Sequence, residues 1–348
     1  MRILNTALVG YGSGGRIYNA PLISSLPQFR VTRILTSNPE NIRAANIDFP
    51  EAKVVDEFLE ICNDPEIELV IIVLPNHLHY RYAKQALENG KHVLVEKPFT
   101  TTVNEANELI ELAKQKNLVL SVNHNRRWDS DFRTVKKLVE HNILGDIVEY
   151  EAHFDRFRPS VKVGWKEDPD IPGSGIVYDL GSHLIDQALN LFGNPTELFA
   201  DIRIQREGAK VPDNFEILLF YSNLKVSLKG GMLVKEKGPA FSVFGTRGSF
   251  LKYGADVQEE ALKAGKKPAD DPEWGMEPEE SWGKLNTIDT EEFLASAPGD
   301  YLLPYLNLYQ TILGEEELEV KPGQARDVIK VIELAEKSHR EKCIVQFT

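Results

Sequence analysis

The stretch that most constrains the fold is Ile3 to Val9, an apolar run that passes directly into Gly10-Tyr11-Gly12-Ser13-Gly14-Gly15. Gly10, Gly12 and Gly15 keep the G-x-G-x-x-G spacing, which on its own is also met by any glycine-rich turn using the freedom of glycine at positive φ. Context separates the two readings. A helical pattern follows the glycines, and further strand runs come at Val31 to Thr36, Val54 and Val55, Leu69 to Leu74, His92 to Glu96 and Leu118 to Val122. Helical stretches separate almost all of them, and that alternation is the sequence form of βαβ units, which need a parallel sheet covered on both faces. Helix punctuation agrees: Gly90 stands just past the helix around Tyr80 to Glu88, and Thr102 with Glu105 makes a capping box before a helix ending near Asn117. Residues 1–122 are therefore expected to form an α/β dinucleotide-binding domain with an N-terminal Rossmann parallel sheet, its glycine loop offering backbone N–H groups to a pyrophosphate.

From residue 123 the texture changes. A long helix is predicted over Phe132 to Leu144, closed by Gly145, and extended runs follow at Ile147 to Phe154, Leu198 to Gln205, Phe215 to Tyr221, Lys225 to Leu233 and Phe241 to Gly245. Strands without intervening helices favour an antiparallel sheet, here with a helix over Ile176 to Phe192 packed on it. The expectation is a C-terminal α+β domain over 123–348 with a large, mainly antiparallel sheet. Within it, 254–300 is rich in Glu, Asp, Lys, Pro and Gly and reads as a long excursion with at most a short helix near Glu259 to Ala264. An amphipathic helix near Ala325 to His339 reads as structural.

Two domains also suit a chain of 348 residues, since single cores stop growing near ~250 to 300 residues. The formal net charge of −13 sets the field against nucleic acid and anionic lipid, so a bound phosphate needs a local basic pocket. The longest apolar runs are far too short to span a bilayer, and Met1-Arg2-Ile3-Leu4-Asn5 shows no leader pattern. Cys62 and Cys343 make neither a disulfide framework nor a zinc pattern. A cytoplasmic protein is expected, with no nucleic-acid or membrane partner.

The cofactor is expected to be NAD or NADP. A fold that prefers NAD usually carries Asp or Glu about 20 residues past the glycines, to hold the ribose 2′-hydroxyl. This chain has Leu35-Thr36-Ser37-Asn38 there, which tilts the choice to NADP with Ser37 as donor and Arg33 or Arg43 as counter-charges. The alternative is that Glu40 reaches back to the ribose.

Two more segments stand at the carboxyl ends of parallel strands, where this fold places ligands: Leu74-Pro75-Asn76-His77-Leu78-His79 and Glu96-Lys97-Pro98. With the glycine loop and Gly173-Ser174-Gly175-Ile176-Val177-Tyr178-Asp179-Leu180-Gly181-Ser182-His183, they make a chain that resembles the Gfo/Idh/MocA family, named for glucose-fructose oxidoreductase and inositol dehydrogenase. Asn123-His124-Asn125-Arg126-Arg127-Trp128-Asp129-Ser130-Asp131-Phe132 and Phe154-Asp155-Arg156-Phe157-Arg158-Pro159 look most like its branch of NADP-linked scyllo-inositol dehydrogenases. The resemblance covers nearly the whole chain. It implies catalysis by Lys97, Asp179 and His183, cofactor contacts at Gly10, Tyr11, Gly12, Gly15, Ser37, Pro75, Asn76, His79, Glu96 and Lys97, and a homo-oligomer associating through the C-terminal sheet.

The residues have a chemical reading of their own. Asp179 and His183 are four apart on a predicted helix, so the carboxylate can orient the imidazole, although any surface pair at that spacing would look alike. For alcohol oxidation a base must reach the hydroxyl proton, which suits His183 oriented by Asp179, and a fixed cation such as Lys97 steadies the developing alkoxide. Lys97 as the proton carrier is the other division of labour. The substrate is expected to be a sugar or cyclic polyol, with Asn125, Arg127, Trp128 and Arg156 as candidate contacts; Arg127, Trp128 and Arg156 read equally as structural anchors. His77, His79, Asp179 and His183 could instead suit a metal-dependent hydrolase, which leaves the glycine loop unexplained. A dinucleotide-sensing regulator of the same fold is the other rival, disfavoured by retention of Lys97, Asp179 and His183.

Overall fold

The computed structural model describes residues 1–348. In chain order the elements are β1 (Leu4–Val9), α1 (Ala20–Ser24), β2 (Phe29–Leu35), α2 (Pro39–Asp48), β3 (Lys53–Val55), α3 (Phe58–Cys62), β4 (Leu69–Ile72), α4 (His79–Glu88), β5 (His92–Glu96), α5 (Val103–Lys116) and β6 (Leu120–Asn123). There follow α6 (Ser130–Glu140), β7 (Ile147–His153), α7 (Ser182–Phe192), β8 (Glu197–Arg203), β9 (Asn214–Phe220), β10 (Lys225–Gly231), β11 (Phe241–Gly245), β12 (Gly248–Lys252), α8 (Gln258–Lys263), β13 (Gly283–Thr287), β14 (Glu291–Leu294), α9 (Leu303–Leu313), α10 (Pro322–Glu341) and β15 (Val345–Gln346). No helix is long and apolar enough to cross a membrane.

The first compact unit holds Met1–Asn125 together with Gln258–Trp274 and Asp300–Arg326. Its sheet is parallel throughout, in the order β3-β2-β1-β4-β5-β6. All four residues of β4 are buried, as a central parallel strand covered on both faces requires. The capping box at α5 forms: Thr102 accepts from the Glu105 N–H and Glu105 returns the bond to the Thr102 N–H. Residues 258–274 and 300–326, expected with the C-terminal domain, are gathered into this unit instead. The physical reason is aromatic burial in α9, where Tyr305 and Tyr309 meet Phe29 edge-on at 6.4 and 5.9 Å between ring centres.

The second unit holds Arg126–Val257, Gly275–Gly299 and Asp327–Thr348. Its nine strands run β14-β13-β12-β11-β7-β10-β9-β8-β15, antiparallel except for the β7–β10 pair. Strands β8 and β9 alternate buried and half-buried residues, and the buried rows, Leu198, Ala200 and Ile202 with Phe215, Ile217 and Leu219, build the core. The predicted helix from Ile176 is wound in two ways, a π-turn over Val177–Gly181 and then α7. Helix α6 stops at Glu140, earlier than Leu144, because the chain turns through Asn142 at positive φ before Gly145. Strands β13 and β14 lie inside the stretch read as an excursion. Their residues, Gly-Lys-Leu-Asn-Thr and Glu-Glu-Phe-Leu, lack a sustained apolar alternation: β14 is the edge strand and mostly exposed, and β13, paired to β14 and β12, buries only Gly283 and Leu285.

Charge is buried beneath the start of α6. The Lys252 ammonium, wholly enclosed, pairs with Glu277 at 3.1 Å and donates to the carbonyls of Tyr253 and Ser281. Asp256 accepts from the Ser130 N–H at 2.8 Å, and Asp131 accepts from the Phe132 N–H at 2.6 Å. Burial, and then the Asp256 charge, push the Asp131 carboxyl up to about 7, against the pull of Lys252. The folded state thus keeps a proton that the unfolded chain releases near 3.8. The stability this gives is complete below that value and is lost as pH rises through about 7. Asp131→Asn should flatten the change in melting temperature between about pH 5 and 8 and leave the variant more stable than the parent at the upper end. Equal slopes in the two proteins would show that Asp131 does not carry the proton.

Candidate active site

The glycine loop leaves β1 at Gly10, whose φ of 101° suits glycine alone. A Cβ there would lie 2.2 Å from the Val73 carbonyl oxygen, and one at Gly15 2.2 Å from the Gly10 carbonyl oxygen, so both glycines answer to close backbone packing. Gly12 differs: a Cβ on it would meet nothing within 4 Å. Its bareness opens room above the loop, and the chain then enters the π-turn Gly14–Asn19 and α1. That is the cradle a dinucleotide's diphosphate needs, so the residues present fit the group. Tyr11, expected beside the cofactor, turns its side chain inward instead. Its hydroxyl donates to Asp48 at 2.8 Å and its ring packs edge-on to Phe49, which leaves only its backbone for a ligand.

At the end of β5, Glu96 is the hub of a polar brace. One carboxylate oxygen accepts from the Asn19 amide at 2.9 Å and from the Asn123 amide at 2.8 Å; the other accepts from the Lys97 N–H at 3.3 Å. Tyr305 then donates to the Asn19 side-chain oxygen at 2.7 Å. Glu96 therefore fixes the backbone that carries Lys97. Asn19, Asn123 and Tyr305 carried no local signal of this role, which depends on partners up to 286 positions apart.

His79 is fully enclosed, with Nδ1 2.8 Å from the Pro98 carbonyl oxygen and Nε2 2.8 Å from the Leu74 carbonyl oxygen. Burial holds its pKa below the ordinary value, against those two carbonyls. Expected to touch the cofactor, it instead ties the loop bearing Pro75 and Asn76 to the loop bearing Lys97, and neither nitrogen is left for a metal. Asn76 is buried at the start of a short 3-10 turn, and Ser37 is exposed just past β2. Arg33, expected as a counter-charge, is taken by Asp64 at 2.6 Å.

In the second unit the structure gathers another set. His183 is nearly buried and stacks on Phe154, 6.2 Å between centres and 30° between planes. The same ring carries the guanidinium of Arg126 at 4.8 Å and that of Arg156 at 5.1 Å. Asp179, on the π-turn, binds the Lys166 ammonium at 2.6 Å and lies 4.0 Å from Arg156. Asp179, His183 and Arg156 thus share one neighbourhood, with Phe154 and Lys166 added to those expected. Arg127 and Trp128 are both buried. Arg127 gives Nε and Nη2 to Asp186 at 2.8 and 2.7 Å, both side chains almost wholly buried, and Trp128 is buried beside it in sequence. Asn125 opens the 3-10 turn Asn125–Trp128, half-buried, and is assigned to the first unit.

A parallel Rossmann sheet with a glycine cradle, followed by a mixed, mostly antiparallel sheet carrying an Asp-x-x-x-His turn, defines a nucleotide-dependent oxidoreductase architecture. Residues 4–124 match the family model for the oxidoreductase family NAD-binding Rossmann fold, and residues 136–347 match that for the oxidoreductase family C-terminal alpha/beta domain. The chain belongs to the Gfo/Idh/MocA family. It is 42% identical over 343 residues to scyllo-inositol 2-dehydrogenase (NADP(+)) IolW of Bacillus subtilis, covering 97% of this chain and 94% of that protein. It is also 42% identical over 344 residues to the uncharacterised oxidoreductase YdgJ of Escherichia coli, covering 97% of each. Among solved structures it is similar to the yvaA protein of Bacillus subtilis, with a TM-score of 0.96, 40% identity, and coverage of 100% of this chain and 99% of that one.

Proposed function

We propose that this chain is a cytoplasmic, NADP-preferring dehydrogenase acting on a CH–OH carbon of an inositol-like polyol or a sugar. The observation that carries the reading is its near-full-length similarity to an NADP-linked scyllo-inositol dehydrogenase, in a chain whose Lys97 backbone and Asp179 carboxylate are each held by neighbours of their own. When bound, the dinucleotide accepts hydride at its nicotinamide. His183 takes the hydroxyl proton as general base, Asp179 orients that base, and Lys97 holds the substrate oxygen as negative charge grows on it. The backbone over Gly12 would hold the diphosphate. Arg156, beside Asp179 and over Phe154, is the remaining substrate contact in this reading; Arg127 and Trp128 support the fold.

Cofactor choice rests on Ser37. A carboxylate ~4 Å from a 2′-phosphate would oppose binding by a few kcal/mol at an intermediate dielectric, and Ser37 brings no such charge. A panel of polyols and sugars, followed by absorbance of the reduced cofactor with NAD and NADP in parallel at fixed salt, is expected to show turnover favouring NADP. Ser37→Asp should shift kcat/KM towards NAD, mainly through the KM for NADP. Dinucleotide binding without turnover of any substrate would favour the sensing regulator, and an unmutated preference for NAD of about tenfold or more would move attention to Glu40.

A further inference from the structure

In the second unit a cleft of about 280 Å³ opens beside the turn that carries Asp179. Its walls come from the segment 156–167, from the approach to that turn, and from the chain just beyond β8 and β10. Small-ligand pockets start near about 300 Å³, so the cleft suits one sugar or cyclitol ring with a substituent rather than a nucleotide sugar. Charge sets it apart. Arg156, Arg158, Lys162, Lys166 and Arg206 line it against Glu167 and Asp179, in a chain with 53 acidic residues and 40 basic ones. A cleft of average composition here would be acidic.

The cations are unevenly engaged. Arg206, its side chain 2% exposed, donates through Nε to Asp213 at 2.9 Å, through Nη2 to both Glu167 oxygens at 2.9 Å, and through Nη1 to the Ser160 carbonyl at 3.4 Å. It thereby pins the segment between Ser160 and Glu167 at both ends. Lys166 is taken by Asp179 at 2.6 Å, and Arg156 approaches the same carboxylate at 4.0 Å. Arg158 and Lys162 are exposed, and neither head group has an ion pair or a hydrogen bond. Their backbone is nevertheless tied: the Arg158 N–H donates to the Met232 carbonyl at 2.7 Å, and the Gly175 N–H to the Lys166 carbonyl at 2.9 Å. A solvated surface loop would explain two exposed cations. It gives no reason to bury a guanidinium with two carboxylates, at a cost in desolvation, in order to hold the segment that carries Lys162.

We propose that this cleft binds an anionic substituent of the substrate, a carboxylate or a phosphomonoester, through Arg158 and Lys162, a reading that rests on the dehydrogenase function above and narrows its substrate class to acidic sugars or polyols. The Arg158 fork can hold two oxygens of either group at once, and Lys162 adds a point charge. Lys166 and Arg156 offset the Asp179 carboxylate, which would otherwise repel an incoming anion. The local excess of positive charge also draws an anion in against the overall net charge of −13.

The test is a calorimetric titration of the full chain with matched compounds, glucose against glucuronate and glucose 6-phosphate, and myo-inositol against myo-inositol 1-phosphate, with turnover of each measured in parallel with NADP. At least one charged compound is expected to bind roughly tenfold or more tightly than its uncharged partner, and whether the carboxylate or the phosphate gains identifies the group. Arg158 and Lys162 are exposed, so Arg158→Ala, Lys162→Ala and the double variant should keep the parent's melting temperature. Each single variant should cut the charged-to-uncharged ratio by about tenfold, and Arg158→Glu should remove the preference entirely. The preference should also weaken as salt rises. Equal affinity for charged and uncharged partners in the parent, or a preference that survives in the double variant, overturns the proposal; turnover of the uncharged compounds would then leave the dehydrogenase reading standing. Charged ligands bound through Arg158 and Lys162 with no turnover of any compound would support the anion site and remove the dehydrogenase reading instead.

Discussion

His183→Ala and Lys97→Ala should each lower kcat by ~10² or more while NADP affinity stays near that of the parent. The structure makes these clean variants. Lys97 is bound to the Glu96 brace through its backbone N–H, so truncating its side chain leaves Glu96, Asn19 and Asn123 in place. Removing the imidazole of His183 takes away one face of the stack on Phe154 but leaves Asp179 held by Lys166 and the Phe154 ring flanked by Arg126 and Arg156. Steady-state turnover and cofactor titration have to be measured separately, because a loss in binding would mean the cradle had been disturbed rather than the chemistry. The two variants also divide the labour. If His183 is the base, the parent is expected to show a rise of kcat/KM with pH that His183→Ala abolishes, whereas Lys97→Arg should restore part of the turnover lost in Lys97→Ala by replacing the cation. Near-normal turnover in both alanine variants would remove the catalytic assignment altogether.

The largest loss of stability is expected at the Arg127–Asp186 pair. Its two bonds, 2.8 and 2.7 Å, join side chains that are 7% and 3% exposed, so water cannot replace either partner. Asp186→Ala leaves a guanidinium buried without its counter-charge, which typically costs ~3 to 5 kcal/mol. The pair itself contributes far less than that, since desolvating two ions offsets most of their attraction; replacing both partners with apolar residues, Arg127→Met with Asp186→Leu, should recover most of the loss. Urea unfolding of the single and double variants distinguishes these outcomes. A loss below about 1 kcal/mol for Asp186→Ala would mean that Arg127 finds another anion or water, and the anchor reading would fall.

The first sheet was readable because its cues are local. The step from β1 into Gly10, Gly12 and Gly15, the Thr102–Glu105 box and the buried run of β4 each depend on neighbours within a few positions, where backbone sterics and periodicity act directly. Lys97, Asp179 and His183 stand out through short segments at strand ends and a four-residue spacing, and the family resemblance is what proposes them for catalysis. The edge strand β14 and its neighbour β13 escaped because short strands with few buried residues need no sustained apolar period.

Residue type and spacing fixed what chemistry the chain can carry: a glycine cradle, an ammonium after β5, and a carboxylate and imidazole on one turn. Which groups are spent elsewhere was settled only in three dimensions. Arg33 is taken by Asp64, Arg127 by Asp186, and both nitrogens of His79 face the carbonyls of Leu74 and Pro98. The brace on Glu96 joins positions 19, 96, 123 and 305, and residues 258–274 return to the first unit to bring Lys267 towards the glycine loop. Closing such distant loops costs entropy that grows only slowly with their length. Their pairing is therefore decided by which aromatic rings and polar groups must be buried together, information that no local window of sequence contains.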